Sequence, residues 1–342
     1  CACELEDKGE QNIARILPPL FIPKYELSYA TPPVEEVKRR SETYSALINF
    51  ELNKYQILYN YKNNANVLNE VDRIIREIQS DKNLTITEFS ITGYASPEGV
   101  PEHNMTLSEN RARSFVSYLM DKYTINSSMI RTNWRGEDWD GLRKVVQGLH
   151  LDNETELLAI LDEPNVMTRK SRLHLLNGGE TYRMLLRDYY PQLRRNEYTV
   201  SYIAKQFSVD EAKQTIRTKP QHLSENEMFI VANTYPKDSR EFKEVFDIAA
   251  QIYPNNPYTR MNVITLNMEN GTVDPSTIQN LQNIDIPEAW NNLGIYYTQQ
   301  GDYKRAETFF NRAANAGVRE AISNRDQLAR YLENNININQ VQ

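Results

Sequence analysis

Between Ile48 and Trp134 the apolar positions switch back and forth between a period of two and a period near that of a helix. Ile48, Phe50 and Leu52 alternate with Asn49, Glu51 and Asn53, which predicts a half-buried strand. Val67, Leu68, Val71, Ile74, Ile75 and Ile78 then line one face of a helix, with Asp72, Arg73, Arg76 and Glu77 off it. Leu84 to Thr92 reads as a second strand with imperfect alternation, and Met129 to Trp134 as a short third. Between them Ala112, Phe115, Val116 and Leu119 stand at i, i+3, i+4, i+7 and predict a helix over about 104–122. Thr106 with Glu109 has capping-box spacing, and Asn104 competes as the N-cap. Strand, helix, strand, helix, strand predicts an α/β unit with parallel pairing, right-handed crossovers and helices packed on the sheet.

The pattern turns helical over about 138–190, where Leu142, Val145 and Val146, then Leu157, Leu158 and Leu161, then Tyr182, Leu185 and Leu186 fall at helix spacing. Tyr198, Val200 and Tyr202 alternate with Thr199 and Ser201, a further strand. At the other end, residues 1–24 read as a linker, charged and then rich in Pro18, Pro19 and Pro23, and a stretch with Pro32 and Pro33 follows. The domains expected are therefore the linker 1–24, an α/β domain over 25–204 with a helical insertion at about 138–190, and an all-α region over 205–342.

That last region reads as helix pairs. Ser208 with Glu211, and Ser224 with Glu227, have capping-box spacing. Trp290, Leu293, Gly294, Tyr297, Ala306, Phe310 and Ala313 stand at W-x2-L-G-x2-Y followed by A-x3-F, so large residues of one helix meet small ones of the next. This spacing resembles the tetratricopeptide repeat, although the usual closing proline is Val318. A looser copy spans about 223–256, with Phe229, Phe246, Ala249 and Pro254, and 257–286 has the length of a degenerate third. Residues 334–342 are polar with isolated isoleucines and are expected to fray.

The chemistry concentrates in the loop between the second strand and the helix that follows it. A strand end running into a helix N-terminus offers unpaired backbone N–H groups and a positive dipole end, and Arg111 adds a guanidinium, which suits a carboxylate or another anionic ligand. Gly93, Asn104, Leu107, Ser108, Arg111 and Ala112 also match a signature: Gly-His-Thr-Asp, a Gly-bearing loop, then Asn-x-x-Leu-Ser-x-x-Arg-Ala. On these residues the region resembles the OmpA-like peptidoglycan-associated domain. The variant GYASPEG looks like a subgroup of such envelope proteins from anaerobic Gram-negative bacteria, some of which accompany fimbrial assembly genes.

The resemblance implies that Gly93, Tyr94, Ala95, Ser96, Asn104 and Arg111 surround a peptidoglycan stem peptide, and that Arg111 grips its diaminopimelate. The family's second gripping charge, an Asp, falls on Ser96, which brings a hydroxyl and no charge; Glu98 or Glu102 from the same loop is the candidate to compensate. The family's final strand, marked Asn-Arg-Arg, finds its nearest match in Leu193-Arg194-Arg195. The expected role is non-catalytic: peptidoglycan contact in the periplasm or at the outer membrane, with the helical repeats recruiting a protein partner in an anchoring or fimbria-like assembly. The alternatives are a pure protein–protein adaptor with a vestigial pocket and, more distantly, a glycan hydrolase, for which no acid/base pair stands out.

Composition narrows the field further. Of 342 residues, 40% are hydrophobic and 25% charged, as in globular proteins, and the net charge of −7 argues against nucleic acid as the main partner. No apolar run reaches the roughly 18 residues of a spanning helix, so membrane attachment would come through a missing N-terminal part or through lipidation. Cys1 and Cys3 are the only cysteines; Cys1 reads either as a lipidated first residue or as the edge of a fragment, the latter favoured because the relatives carry a β domain before this point. The four histidines show no ligand spacing, and no phosphate loop or nucleophile elbow is present, so no metal or cofactor is expected.

Overall fold

The computed structural model describes residues 21–51 and 54–339, with the backbone alone for 335–339. Most of the expected linker, both cysteines and Leu52 of the expected first strand lie outside the described residues. The described chain forms two compact units. Residues 36–206 form one, and residues 21–35 with 207–339 form the other. The stretch 25–35, expected to open the α/β domain, thus packs with the helices, because its main chain finds its partners there.

The first unit runs β1 (Lys38–Ala46), α1 (Asn64–Ser80), β2 (Leu84–Ala95), α2 (Pro101–Lys122), β3 (Ile130–Glu137), then five α-helical segments, with short 3-10 and π turns among them, and β4 (Asn196–Ala204). The segments are α3 (Trp139–Gln147), α4 (Glu154–Leu161), α5 (Val166–Leu175), α6 (Glu180–Met184) and α7 (Tyr190–Leu193). The sheet order is β1-β4-β2-β3. β2 and β3 pair in parallel, but β4 enters between β1 and β2 and runs antiparallel to both. The all-parallel expectation is corrected on this point: β1 and β2 do not pair, because the strand latest in sequence takes the place between them.

The first strand is also corrected. It lies at Lys38–Ala46, not at 48–53, and its sequence KRRSETYSA is polar. An edge strand with one neighbour tolerates such a sequence, and charge there discourages pairing with other chains. Ile48 is buried and Phe50 packs on the core, yet the backbone of Asn49 is taken by the Asn64 amide, which accepts its N–H at 2.7 Å and donates to its carbonyl at 2.9 Å.

Leu68, Val71, Ile74, Ile75 and Ile78 of α1, and Ala112, Phe115 and Leu119 of α2, close on Phe89, Ile91, Tyr198 and Val200 of the sheet. α2 begins at Pro101 and has no side-chain cap, so neither Asn104 nor the Thr106–Glu109 pair starts it. Proline lacks the N–H that the first turn cannot use, and so fits that position. A Cβ on Gly93 would stand 2.2 Å from the Ser108 carbonyl oxygen, so α2 can press against β2 only where the strand has a glycine.

The expected insertion is helical and has its own core of Leu142, Val146, Leu157, Leu161, Leu185 and Tyr190. Lys170 on α5 ties it to the loop after β2. Its ammonium donates to the Gly99 carbonyl at 2.7 Å and pairs with the buried Glu137 at the end of β3.

The second unit contains α8 (Val209–Thr215), α9 (Glu225–Ala232), α10 (Arg240–Ile252), α11 (Pro257–Glu269), α12 (Pro275–Gln282), α13 (Pro287–Gln299), α14 (Tyr303–Asn315) and α15 (Arg319–Asn339). Both capping boxes form, at Ser208–Glu211 and Ser224–Glu227. In α13 and α14 the repeat spacing does its physical job: a Cβ on Gly294 would meet the Phe310 ring at 2.5 Å, and Ala306 and Ala313 are fully buried. α15 runs to Asn339, through much of the stretch expected to fray.

Candidate functional site

Five residues, 96–100, carry the chain from β2 into α2. Gly99 has φ 76°, a left-handed conformation open to glycine at little cost. Ser96 is buried and holds the middle of a short relay. Arg194, just before β4, donates from Nε to the Ser96 hydroxyl at 3.1 Å and from Nη2 to Glu98 at 2.5 Å. Ser96 in turn donates to Glu98 at 3.0 Å.

Asn104, Ser108 and Arg111 form the inward stripe of α2. The Asn104 amide donates to the Glu98 carbonyl and to the Glu137 carboxylate, the latter at 2.8 Å. Ser108 accepts from the Gly136 N–H at 3.0 Å and donates to the Met105 carbonyl at 2.8 Å. These two residues hold the loop and the end of β3 in place.

Arg111 differs from both. It is 4% exposed, its guanidinium lies 4.9 Å from the centre of the Phe50 ring, and its Nε has no hydrogen-bond partner among the described residues. Burial, and then the neighbouring Arg194, push its pKa down to about 10 against a partial offset from Glu98. A charge-bearing group held without a paired carboxylate is costly unless something negative arrives. Asn196 is fully buried opposite Gly93, and neither of its side-chain polar atoms has a hydrogen-bond partner among the described residues. Around Arg111, two guanidinium groups face the single carboxylate of Glu98, while Glu137 is paired with Lys170; this local positive excess favours a carboxylate over an ammonium.

The predicted residues therefore divide. Arg111 acts electrostatically on the same ground as Glu98, and Ser96 is joined to Glu98 directly. Gly93 is there for close packing, and the fully buried Ala95 offers only its carbonyl, to the Asp138 N–H at 2.9 Å. Tyr94 points to the other face of the sheet, where it donates to Glu197 at 2.9 Å and stacks under Arg195; burial and then Glu197 raise its phenol to about 12. Glu102 is exposed on the first turn of α2 and is no compensating carboxylate. Glu98 is near enough, but Arg194 already engages it. Sequence reasoning missed Arg194, Asn196 and Phe50 as site residues; the Leu193-Arg194-Arg195 match was the available signal for the first. An open cleft of about 840 Å³ lies apart from this loop, within the insertion, lined by residues that include Glu156, Arg172 and Glu180.

Among the described residues no helix is long and apolar enough to cross a membrane, and no cluster of His, Cys, Asp and Glu suited to a metal is found. Residues 49–143 match the OmpA family, and residues 287–316 match the tetratricopeptide repeat. The chain is similar to Outer membrane protein 41 of Porphyromonas gingivalis, with 40% identity over 49 residues. That match covers 14% of this chain and spans 12% of the relative's length. The chain thus carries an OmpA-family domain over 49–143, set in a mixed α/β sheet unit, and a tetratricopeptide repeat over 287–316, set in a helical one.

Proposed function

We propose that this is a non-catalytic cell-envelope protein of the periplasm or outer membrane that contacts peptidoglycan through the 93–111 region, while its helical repeats recruit a protein partner. One observation carries the reading: Arg111 is buried at the mouth of the strand-to-helix loop with its Nε lacking a hydrogen-bond partner among the described residues. A stem-peptide carboxylate would supply the counter-charge, in the bidentate geometry that a guanidinium favours. The ammonium of diaminopimelate is served less well. Ser96 is neutral, and Glu98 would have to leave Arg194 to receive it. Contact is therefore carboxylate-led and weaker than a two-charge grip.

The test is co-sedimentation with purified peptidoglycan at low salt. The protein should pellet, free diaminopimelate should release it at high concentration, and Arg111→Ala should stay in the supernatant. If Arg111→Ala pellets as well as the unsubstituted protein, the site is not the contact. A second reading, a pure adaptor with a vestigial pocket, is favoured by the closed relay Arg194–Ser96–Glu98, which satisfies itself without a ligand. Absence of the unsubstituted protein from the pellet would favour that reading.

A further inference from the structure

The helical unit holds an extended stretch of its own chain. Residues 24–32 form no helix or strand, yet side-chain amides bind their main chain at every second residue. Asn324 accepts from the N–H of Glu26 and donates to its carbonyl, both at 2.9 Å. Asn292 grips Ser28 in the same way, at 2.8 and 2.9 Å. Asn262 grips Ala30, at 2.8 Å for both bonds. Asn226 donates to the Pro32 carbonyl at 2.7 Å, and proline has no N–H to offer in return. Gln327 accepts from the Lys24 N–H at 2.7 Å.

In extended chain the N–H and C=O of one residue point to the same edge, and those of the residue two further on do so again. Residues 24, 26, 28, 30 and 32 therefore show the helices one edge. Asn262, Asn292 and Asn324 each close the two-bond ring that the peptide group of a neighbouring strand would close. The supply is periodic. Asn262, Asn292 and Asn324 are each the sixth residue of their helix, in α11, α13 and α15. All three are buried, so each would be costly without its partners. Asn291 joins the row: it donates to the Glu26 carbonyl and to the Ser28 hydroxyl, and accepts from Asn324, each at 2.9 Å.

Side chains add selectivity. Ser28 and Ala30 are 2% and 0% exposed, in slots that fit small residues. The Tyr29 ring lies 5.4 Å from each of Phe242 and Phe246, and Tyr25 lies 5.7 Å from Phe310. What the row reads is a polypeptide backbone with aromatic, apolar and small residues in a set order.

We propose that this face of the helical unit is a seat for an extended peptide, that residues 24–32 fill it as a built-in ligand, and that the same segment of a second copy of this chain exchanges with them. A second copy carries the matching sequence by identity. Recruitment through this face is then gated, since the tethered segment must leave first. A segment held in the same chain meets its seat intramolecularly, so an outside peptide competes poorly until the built-in one is weakened. The proposal does not rest on peptidoglycan contact.

The test uses the full chain and a fluorescent synthetic peptide of residues 21–34. Ser28→Trp, too large for its slot, should raise peptide affinity at least tenfold over the unsubstituted chain, and adding Asn292→Ala should abolish the gain. Equal peptide binding by both chains, or no effect of Asn292→Ala, would overturn the proposal. Should Ser28→Trp fail to fold, hydrogen exchange of the unsubstituted chain decides. Millimolar peptide should speed exchange of the Glu26, Ser28 and Ala30 amide protons; unchanged protection would make the segment a permanent strut.

Discussion

Replacing Arg111 with methionine should stabilise the sheet unit while removing its ligand contact. The Arg111 pKa stands near 10, roughly two and a half pH units below an ordinary arginine, and burial is the leading cause. At 1.36 kcal/mol per unit, folding holds the charge there at a cost of about 3 kcal/mol. Methionine keeps an unbranched stem of similar reach and removes the charge. It forfeits the contact with the Phe50 ring, worth about 1–2 kcal/mol when desolvated. The balance is a gain of about 1–2 kcal/mol, or about 2–8 °C in melting temperature for a unit of this size.

The sign with pH follows from the lowered value. Folded Arg111 binds its proton less tightly than unfolded Arg111, so the penalty is full at every pH well below 10. It fades only as pH rises through 10 toward the unfolded value. The advantage of Arg111→Met should therefore be flat across the neutral range and shrink in strong alkali. Thermal melts followed by circular dichroism at several pH values measure it. If Arg111→Met melts several degrees lower than the unsubstituted protein, the guanidinium supports the fold, and its burial says nothing about a ligand.

Lys170→Ala should cost about 3–5 kcal/mol in urea denaturation, because it leaves the Glu137 carboxylate buried without its cation; Lys170→Met combined with Glu137→Gln should recover most of that loss. An unchanged midpoint for Lys170→Ala would mean that the insertion does not depend on this pair. Gly294→Ala should lower the stability of the helical unit by about 1–3 kcal/mol in a thermal melt, since the buried Phe310 ring must move to admit the methyl group, and Phe310→Leu should relieve part of it.

How far the sequence could be read depended on the range of the interaction involved. α1 was legible because its six apolar positions face one core, and the pair α13 and α14 because Gly294 must be small where Phe310 is large. Arg111 stood out because it stands at a fixed position of a recognisable loop signature; its burial came only with the structure. The first strand was not legible. Its burial pattern is that of an edge, while the better alternation at Ile48 and Phe50 belongs to a loop whose backbone Asn64 captures. Arg194 could not be assigned to the loop either, since it lies 98 residues from the Ser96 that it bonds.

The sequence by itself determined which residues would be buried in the elements with a clear period, such as α1, α2 and β4, because a helical or twofold period needs only neighbours along the chain. Tertiary structure decided which buried faces and which polar groups would meet. It set β4 between β1 and β2, turned Glu98 toward Arg194, and brought the extended stretch 24–32 onto asparagines that lie more than 190 residues away. An asparagine is an ordinary polar residue until a second segment presents an N–H and a carbonyl along one edge. Nothing along the chain states that meeting, since it exists only once the helices have stacked.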